Sequence, residues 1–349
     1  MLNKHRLIAA GFSMFEATKL HRLVRPWTRG QGAILMFHHV RPWDERAYAP
    51  NRLLEITPDF LDAVLTRVKA LGFDIISLDE ALVRLGDQHA RPFIAVTFDD
   101  GYKDFALHAL PILERHEAPF TLYVTTGFAD RSARLWWVEL EEAIGLLPWI
   151  DVQAGDRRFI ATAQTSEQKS AAFETLYGLL RHMPEEAMLS IIAQLTVRAH
   201  VDPRKLVEDL CLDWEGIAAV AQHPLATIGV HTLTHPMLAQ HDIALVQHEI
   251  AESRRVIEEK LGCVAEHFAY PVGDPTSAGP REFRLAEELG FASAVTTRPG
   301  MIFPEHERHR TALPRLSING LWQKLDMVEV LLSGAPFALW NKGRRLSVA

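Results

Sequence analysis

Two short segments carry the residue types that hydrolytic chemistry needs. Phe93-Ile94-Ala95-Val96-Thr97-Phe98 is an apolar run ending in Asp99-Asp100-Gly101, and Ile228-Gly229-Val230 is a second run ending in His231-Thr232-Leu233-Thr234-His235-Pro236. Two imidazoles and a carboxylate can hold a divalent cation with coordination positions left open, and such a cation lowers the pKa of bound water to about 7 and polarises an acyl oxygen. A carboxylate committed to a cation is a poor base, so a second carboxylate beside it is free to take the proton. The combination reads as a metal-dependent hydrolase. Two His and one carboxylate also suit an Fe(II) oxygenase, but those usually place the carboxylate two residues from the first His, and Asp100 does not stand there.

Neither segment is specific alone. With 17 histidines in 349 residues, about one His-x-x-x-His pair arises by chance. Asp-Gly between apolar runs is also a strong hairpin signal. A hairpin needs a second strand at once, whereas here Phe105, Leu107, Leu110, Ile112 and Leu113 follow at the spacing of a buried helical stripe, with Asp104 read as the helix cap. The turn therefore joins a strand to a helix, and loops at the carboxyl ends of strands are where α/β folds build their sites.

Thr97-Phe98-Asp99-Asp100-Gly101 and His231-Thr232-Leu233-Thr234-His235-Pro236, in that order, resemble the first two signature motifs of the polysaccharide deacetylase family. This carbohydrate-esterase group includes chitooligosaccharide, chitin and peptidoglycan deacetylases. Phe268-Ala269-Tyr270-Pro271-Val272-Gly273 resembles the variant third motif of a subgroup, and the strand before His38-His39 resembles the family's opening strand. The likeness covers roughly residues 33 to 130 and 215 to 320.

The resemblance implies removal of acetyl groups from N-acetylated, or alternatively O-acetylated, sugars of an oligo- or polysaccharide. It implies Asp99 as general base and Asp100, His231 and His235 as ligands of a divalent metal, zinc first, with cobalt, manganese or iron as alternatives. Tyr270, Pro271 and Val272 would bind substrate, with the Val272 N–H helping to hold the oxyanion. The chain departs from the family where supporting residues should stand. Ala269 replaces the Arg that orients the base, and no Leu-x-His near residues 310 to 320 supplies the general acid. Arg315 is expected to bring a guanidinium to Asp99 from the late strand, and His38 or His39, at the mouth of the first strand, is expected to replace the acid. The same departures motivate an alternative, a carbohydrate-binding relative without turnover.

Strand, loop and helix alternate along most of the chain, which implies a largely parallel sheet with helices outside it. Periodicity leaves a barrel and an open sheet undecided; the resemblance implies an irregular (β/α) barrel of about seven strands. The expected organisation is an N-terminal helical extension (1–32), the barrel (33–130 and 216–320), a helical insertion (131–215) and a C-terminal helical tail (321–349). Thr57 and Pro58 mark a helix start and Gly72 its end. Leu135-Trp136-Trp137 opens the insertion, and its rings could stack a sugar or serve as core.

A net charge of −7 and a pI near 6.2 leave no basic surplus for a nucleic-acid partner. Cys211 and Cys263 are expected as reduced thiols. Glu16 and Lys19 interrupt the basic, apolar start, so no cleaved signal is expected, and no run of about 20 apolar residues predicts a membrane span. A cytoplasmic location follows as an expectation. Residues 4–25 are expected to form a helix packed on the domain, the alternative being peripheral membrane contact.

Overall fold

The computed structural model describes residues 11, 14–15, 17–87, 89–154 and 157–348. Seven parallel strands close into a barrel in chain order: β1 (Gly32–Phe37), β2 (Phe93–Phe98), β3 (Phe120–Val124), β4 (Ala226–Val230), β5 (His267–Ala269), β6 (Ser293–Pro299) and β7 (Leu313–Ser317). The short strand Asp74–Ile76 pairs with β2 as an eighth, outside the ring. Strands covered on both sides read as continuous apolar runs rather than alternating ones, and every residue of β1 and β2 is buried. Side chains still alternate. Ile34, Ala95, Tyr123, Val295 and Leu313 belong to an inner cluster, closed by Leu78, Ala81 and Leu82 of helix Leu78–Arg84. Leu35, Phe37, Val96, Phe98 and Leu122 pack outward against the surrounding helices.

The expected irregular seven-stranded barrel is thus present, and its irregularity has locations. β1 and β7 are in register only at Leu35 with Leu316 and Met36 with Ser317, β4 and β5 only at Val230 with Phe268, and β6 and β7 shift register between Val295 and Pro299. The helix Pro58–Ala70 starts on the Thr57 side chain, which accepts from Phe60 N–H at 3.2 Å, and ends before Gly72, whose φ of 81° suits glycine.

Residues 131–215 hold helices Trp136–Leu146, Ser166–Leu180, Glu185–Ala199 and Pro203–Leu210, with a core that includes Leu140, Ile144, Leu176 and Ile192. Beside the helices expected there they also hold an antiparallel hairpin, Trp149–Ala154 with Arg157–Thr162, which the sequence reading did not anticipate. Its strands are short and amphipathic: Ile150 and Val152 are buried in that core, and Ala154, Phe159 and Ala161 pack against it half-buried. The stripe after Asp104 is corrected. Phe105, Ile112 and Leu113 are buried, but Leu107 is 70% exposed, because the helix begins with a π-helical turn, Phe105–Ala109, that shifts its phase.

The helix expected over residues 4–25 lies partly outside the described residues. What is described is helix Leu20–Thr28, packed beside the C-terminal helix Ala335–Trp340. Both cysteines are free. Among the described residues no helix is long and apolar enough to cross a membrane.

Candidate metal centre and active site

The carboxyl ends of β2, β4 and β5 meet at one point. Asp99 and Asp100 leave β2, His231 leaves β4 and Ala269 ends β5. The Asp100 Oδ1 atom lies 3.5 Å from His231 Nε2 and 3.5 Å from His235 Nε2, and the ligand atoms of the three lie within 4.8 Å of one another. Two donors each about 2.0 to 2.2 Å from a shared cation at the tetrahedral angle stand at a similar spacing. The Asp100 Oδ1 atom is buried with no hydrogen-bond donor among the described residues, a costly state unless a cation or water completes it. The residues therefore fit a divalent metal.

Each ligand is set by what lies behind it. His231 Nδ1–H donates to the Ala269 carbonyl at 2.7 Å, which directs the Nε2 lone pair toward Asp100. His235 packs against the Trp137 ring, centroids 4.8 Å apart, and burial pushes its pKa down to about 4, so it is a neutral donor at pH 7. Burial opposes ionisation of Asp100, but the adjoining histidines outweigh it and hold its carboxyl well below the usual range.

The loops carry strain to reach this arrangement. Asp100, Thr232, His235 and Val272 have φ between 61° and 71°, a region that non-glycine residues avoid at about 1 to 3 kcal/mol each. The histidine loop is held by Glu249, whose Oε2 accepts from Leu233 N–H and Thr234 N–H at 2.9 Å and whose Oε1 accepts the Thr234 hydroxyl at 2.8 Å. Ser253 donates to the Thr232 carbonyl, and Thr232 Oγ1 accepts from His235 N–H at 3.0 Å. Gly127 N–H reaches the Leu233 carbonyl at 2.8 Å, an approach only glycine permits, since a Cβ there would stand 2.4 Å from that oxygen.

Asp99 is separated from this cluster by its own partner. Arg315, fully buried, donates through both terminal nitrogens to the two Asp99 oxygens at 2.7 Å each. Its Nε–H reaches the Thr296 carbonyl at 2.9 Å, and a terminal N–H reaches Thr97 Oγ1 at 3.2 Å. Burial alone would raise the Asp99 pKa, but the charge and hydrogen bonds of Arg315 carry it below the usual carboxylate range. The β6 and β7 strands thus deliver the guanidinium that Ala269 does not. His38 Nε2 lies 3.9 Å from Asp99 Oδ2, and burial lowers its pKa against the pull of Asp99 and Asp100. His39 turns away and pairs with Asp104 at 2.6 Å. Asp104 is therefore not the helix cap expected from sequence, because its carboxylate is drawn across to His39 and the Val40 N–H.

Val272 is the centre of a γ-turn closed by Gly273 N–H on the Pro271 carbonyl, and among the described residues nothing accepts its own N–H. Pro271 is buried in the same turn. Tyr270 does not face the site: its ring is in the core beside Phe268 and Phe283, and its hydroxyl donates to the Thr311 carbonyl at 2.7 Å. Alternation explains it, since Ala269 points into the barrel and its neighbour must point out. Trp136 and Trp137 are likewise buried, stacked on Tyr177 and packed against His235, which removes them as exposed sugar platforms.

Sequence reasoning missed Glu249, Ser253 and Tyr102. The first two sit among Val246, Ile250 and Ile257 on the buried stripe of helix Ile243–Leu261, and a polar residue at a core position was the available signal. Tyr102 is fully buried beside Asp100, stacked on His39 with centroids 3.6 Å apart.

Fold and site together define a (β/α) barrel whose loops gather Asp100, His231 and His235 in a group able to hold a metal ion, beside a clamped carboxylate. The family model for polysaccharide deacetylase matches residues 86–293, and the chain belongs to that family. Among solved structures, the Streptococcus pyogenes deacetylase PplD in complex with acetate is similar at a TM-score of 0.57 and 18% identity, over 86% of this chain and 97% of that one. A polysaccharide deacetylase from Bacillus cereus gives 0.54 and 14%, over 86% and 68%. IcaB from Ammonifex degensii gives 0.52 and 16%, over 87% and 96%. A search of curated protein sequences found no match.

Proposed function

We propose that this chain is a metal-dependent deacetylase that hydrolyses N-acetyl groups on sugars of an oligo- or polysaccharide, of the chitooligosaccharide type, with zinc held by Asp100, His231 and His235. The observation that carries the reading is the pairing of that donor cluster with an adjacent carboxylate clamped by Arg315 at 2.7 Å. A bound divalent cation supplies an acidified water and an electrophile for the acetyl oxygen. Asp99, kept ionised by Arg315, accepts the water proton as oxygen bonds to the acyl carbon. The unpaired Val272 N–H is the donor available to the acyl oxygen as it gains charge. His38, whose Nε2 lies 3.9 Å from Asp99 Oδ2, relays the proton that Asp99 has taken from water to the amine nitrogen as the carbon–nitrogen bond breaks, which returns both groups to their starting state. Acetate and a free amino sugar result.

A carbohydrate-binding relative without turnover would need neither Arg315 nor strained backbone at Asp100 and His235, so both features favour catalysis. Acetate release measured across N-acetylated and O-acetylated oligosaccharides tests the reading. Release from N-acetylglucosamine oligomers is expected; release from O-acetyl substrates alone would reassign the bond, and binding with no release would leave the non-catalytic alternative.

A further inference from the structure

We propose that the N- and C-terminal helices form one docking surface for an anionic lipid bilayer. Helix Leu20–Thr28 is amphipathic in the wrong sense for a packed helix. Its apolar residues Leu20, Leu23 and Trp27, at i, i+3 and i+7, share a face that is 45–69% exposed, while Arg25 reaches inward to the Leu71 carbonyl at 2.8 Å. The neighbouring helix ends in Leu339 and Trp340, 66% and 56% exposed. The two ends are contiguous, since Trp27, Arg344 and Arg345 line one depression and Trp340, Lys342 and Arg344 line the next.

Charge selects the occupant. Residues 19–29 contain Lys19, Arg22, Arg25 and Arg29 and no acid, and residues 339–349 contain Lys342, Arg344 and Arg345 and no acid, in a chain whose net charge is −7. A second copy of the chain would bring the same cations against themselves. Tryptophans flanked by leucine and by Lys or Arg are instead the composition that settles at the headgroup level of an anionic membrane. Helix Leu20–Thr28 leads into the N-terminal end of β1, and the C-terminal part of the surface is tied to the end of β6 by Asn341, which donates to the Pro299 carbonyl at 3.4 Å.

The test is co-sedimentation of the full chain with phosphatidylcholine vesicles and with vesicles of equimolar phosphatidylcholine and phosphatidylglycerol. Binding to the anionic vesicles only, weakening as salt rises, is expected. The combined Lys342→Ala, Arg344→Ala, Arg345→Ala variant should bind one to two orders of magnitude more weakly, at about fivefold for each cation, with Arg345 partly committed to Glu305. Trp27→Ser should weaken binding separately from the cations. No binding by the wild-type chain, or equal binding to both vesicle types, overturns the proposal. So does self-association that Trp27→Glu abolishes, which would make the occupant a second copy. Acetate release from a soluble oligosaccharide by the triple variant reads the catalytic proposal independently.

Discussion

Replacing Arg315 with methionine preserves much of its volume and removes the only cation bonded to Asp99 among the described residues. Both groups are almost fully buried, at 1% and 2% exposure, and breaking a buried ion pair from one side costs about 3 to 5 kcal/mol because the remaining charge is stranded. Asp99 escapes part of that cost by holding a proton, since burial is the largest influence on it and acts upward once Arg315 is gone. A protonated base does not accept a proton from water. Turnover at pH 7 should therefore fall by a factor on the order of 10² to 10⁴, and the acid limb of the rate profile should move to higher pH, with activity partly recovered there. Arg315→Lys keeps the charge but not the two-pronged contact, and should fall between. The assay is acetate release against pH, with denaturant unfolding for stability and elemental analysis to establish that the metal stays bound. Wild-type turnover at neutral pH together with unchanged stability in Arg315→Met would refute the assigned role of the clamp.

The two adjacent carboxylates should separate by metal content: Asp100→Asn loses metal and activity together, whereas Asp99→Asn keeps metal and loses turnover, and elemental analysis showing the reverse would exchange their roles. Glu249→Ala strands two loop N–H groups that position His235, so metal affinity measured by calorimetric titration should fall by about 10- to 100-fold. His306 is fully buried, accepts from Phe303 N–H at 3.0 Å, and is lowered to about 4 by burial, so the unfolded chain binds the extra proton below its own pKa of about 6.5. Stability from this residue is present above that value and is lost as pH falls toward 4, by about 2 kcal/mol between pH 7 and 5, and denaturant unfolding of His306→Phe should show a flatter slope.

The parallel sheet was legible because its strands are apolar runs closed by polar loops, its closure into a barrel came only from the family resemblance, and the site was legible because Asp99, Asp100, His231 and His235 lie in compact motifs at strand ends. The hairpin at residues 149–162 was hidden by strands that bury only Ile150 and Val152. Asp104 looked like a cap because local signals favour one, while the pairing with His39 spans 65 positions and has no local trace. Tyr270 illustrates the same limit: its motif identifies the loop, but strand alternation decides which side chains of that loop meet the site. The Arg315 position could be reasoned from the missing Arg at 269, whereas its fixing by Thr296 and Thr97 required the closed ring of strands.

The most direct test of the central claim is acetate release from an N-acetylglucosamine oligomer by the purified chain before chelation, after complete metal removal, and after zinc is returned. The account predicts activity, its loss, and its restoration, with one bound metal per chain that Asp100→Asn does not retain. Full acetate release by a preparation that elemental analysis finds free of metal would contradict it.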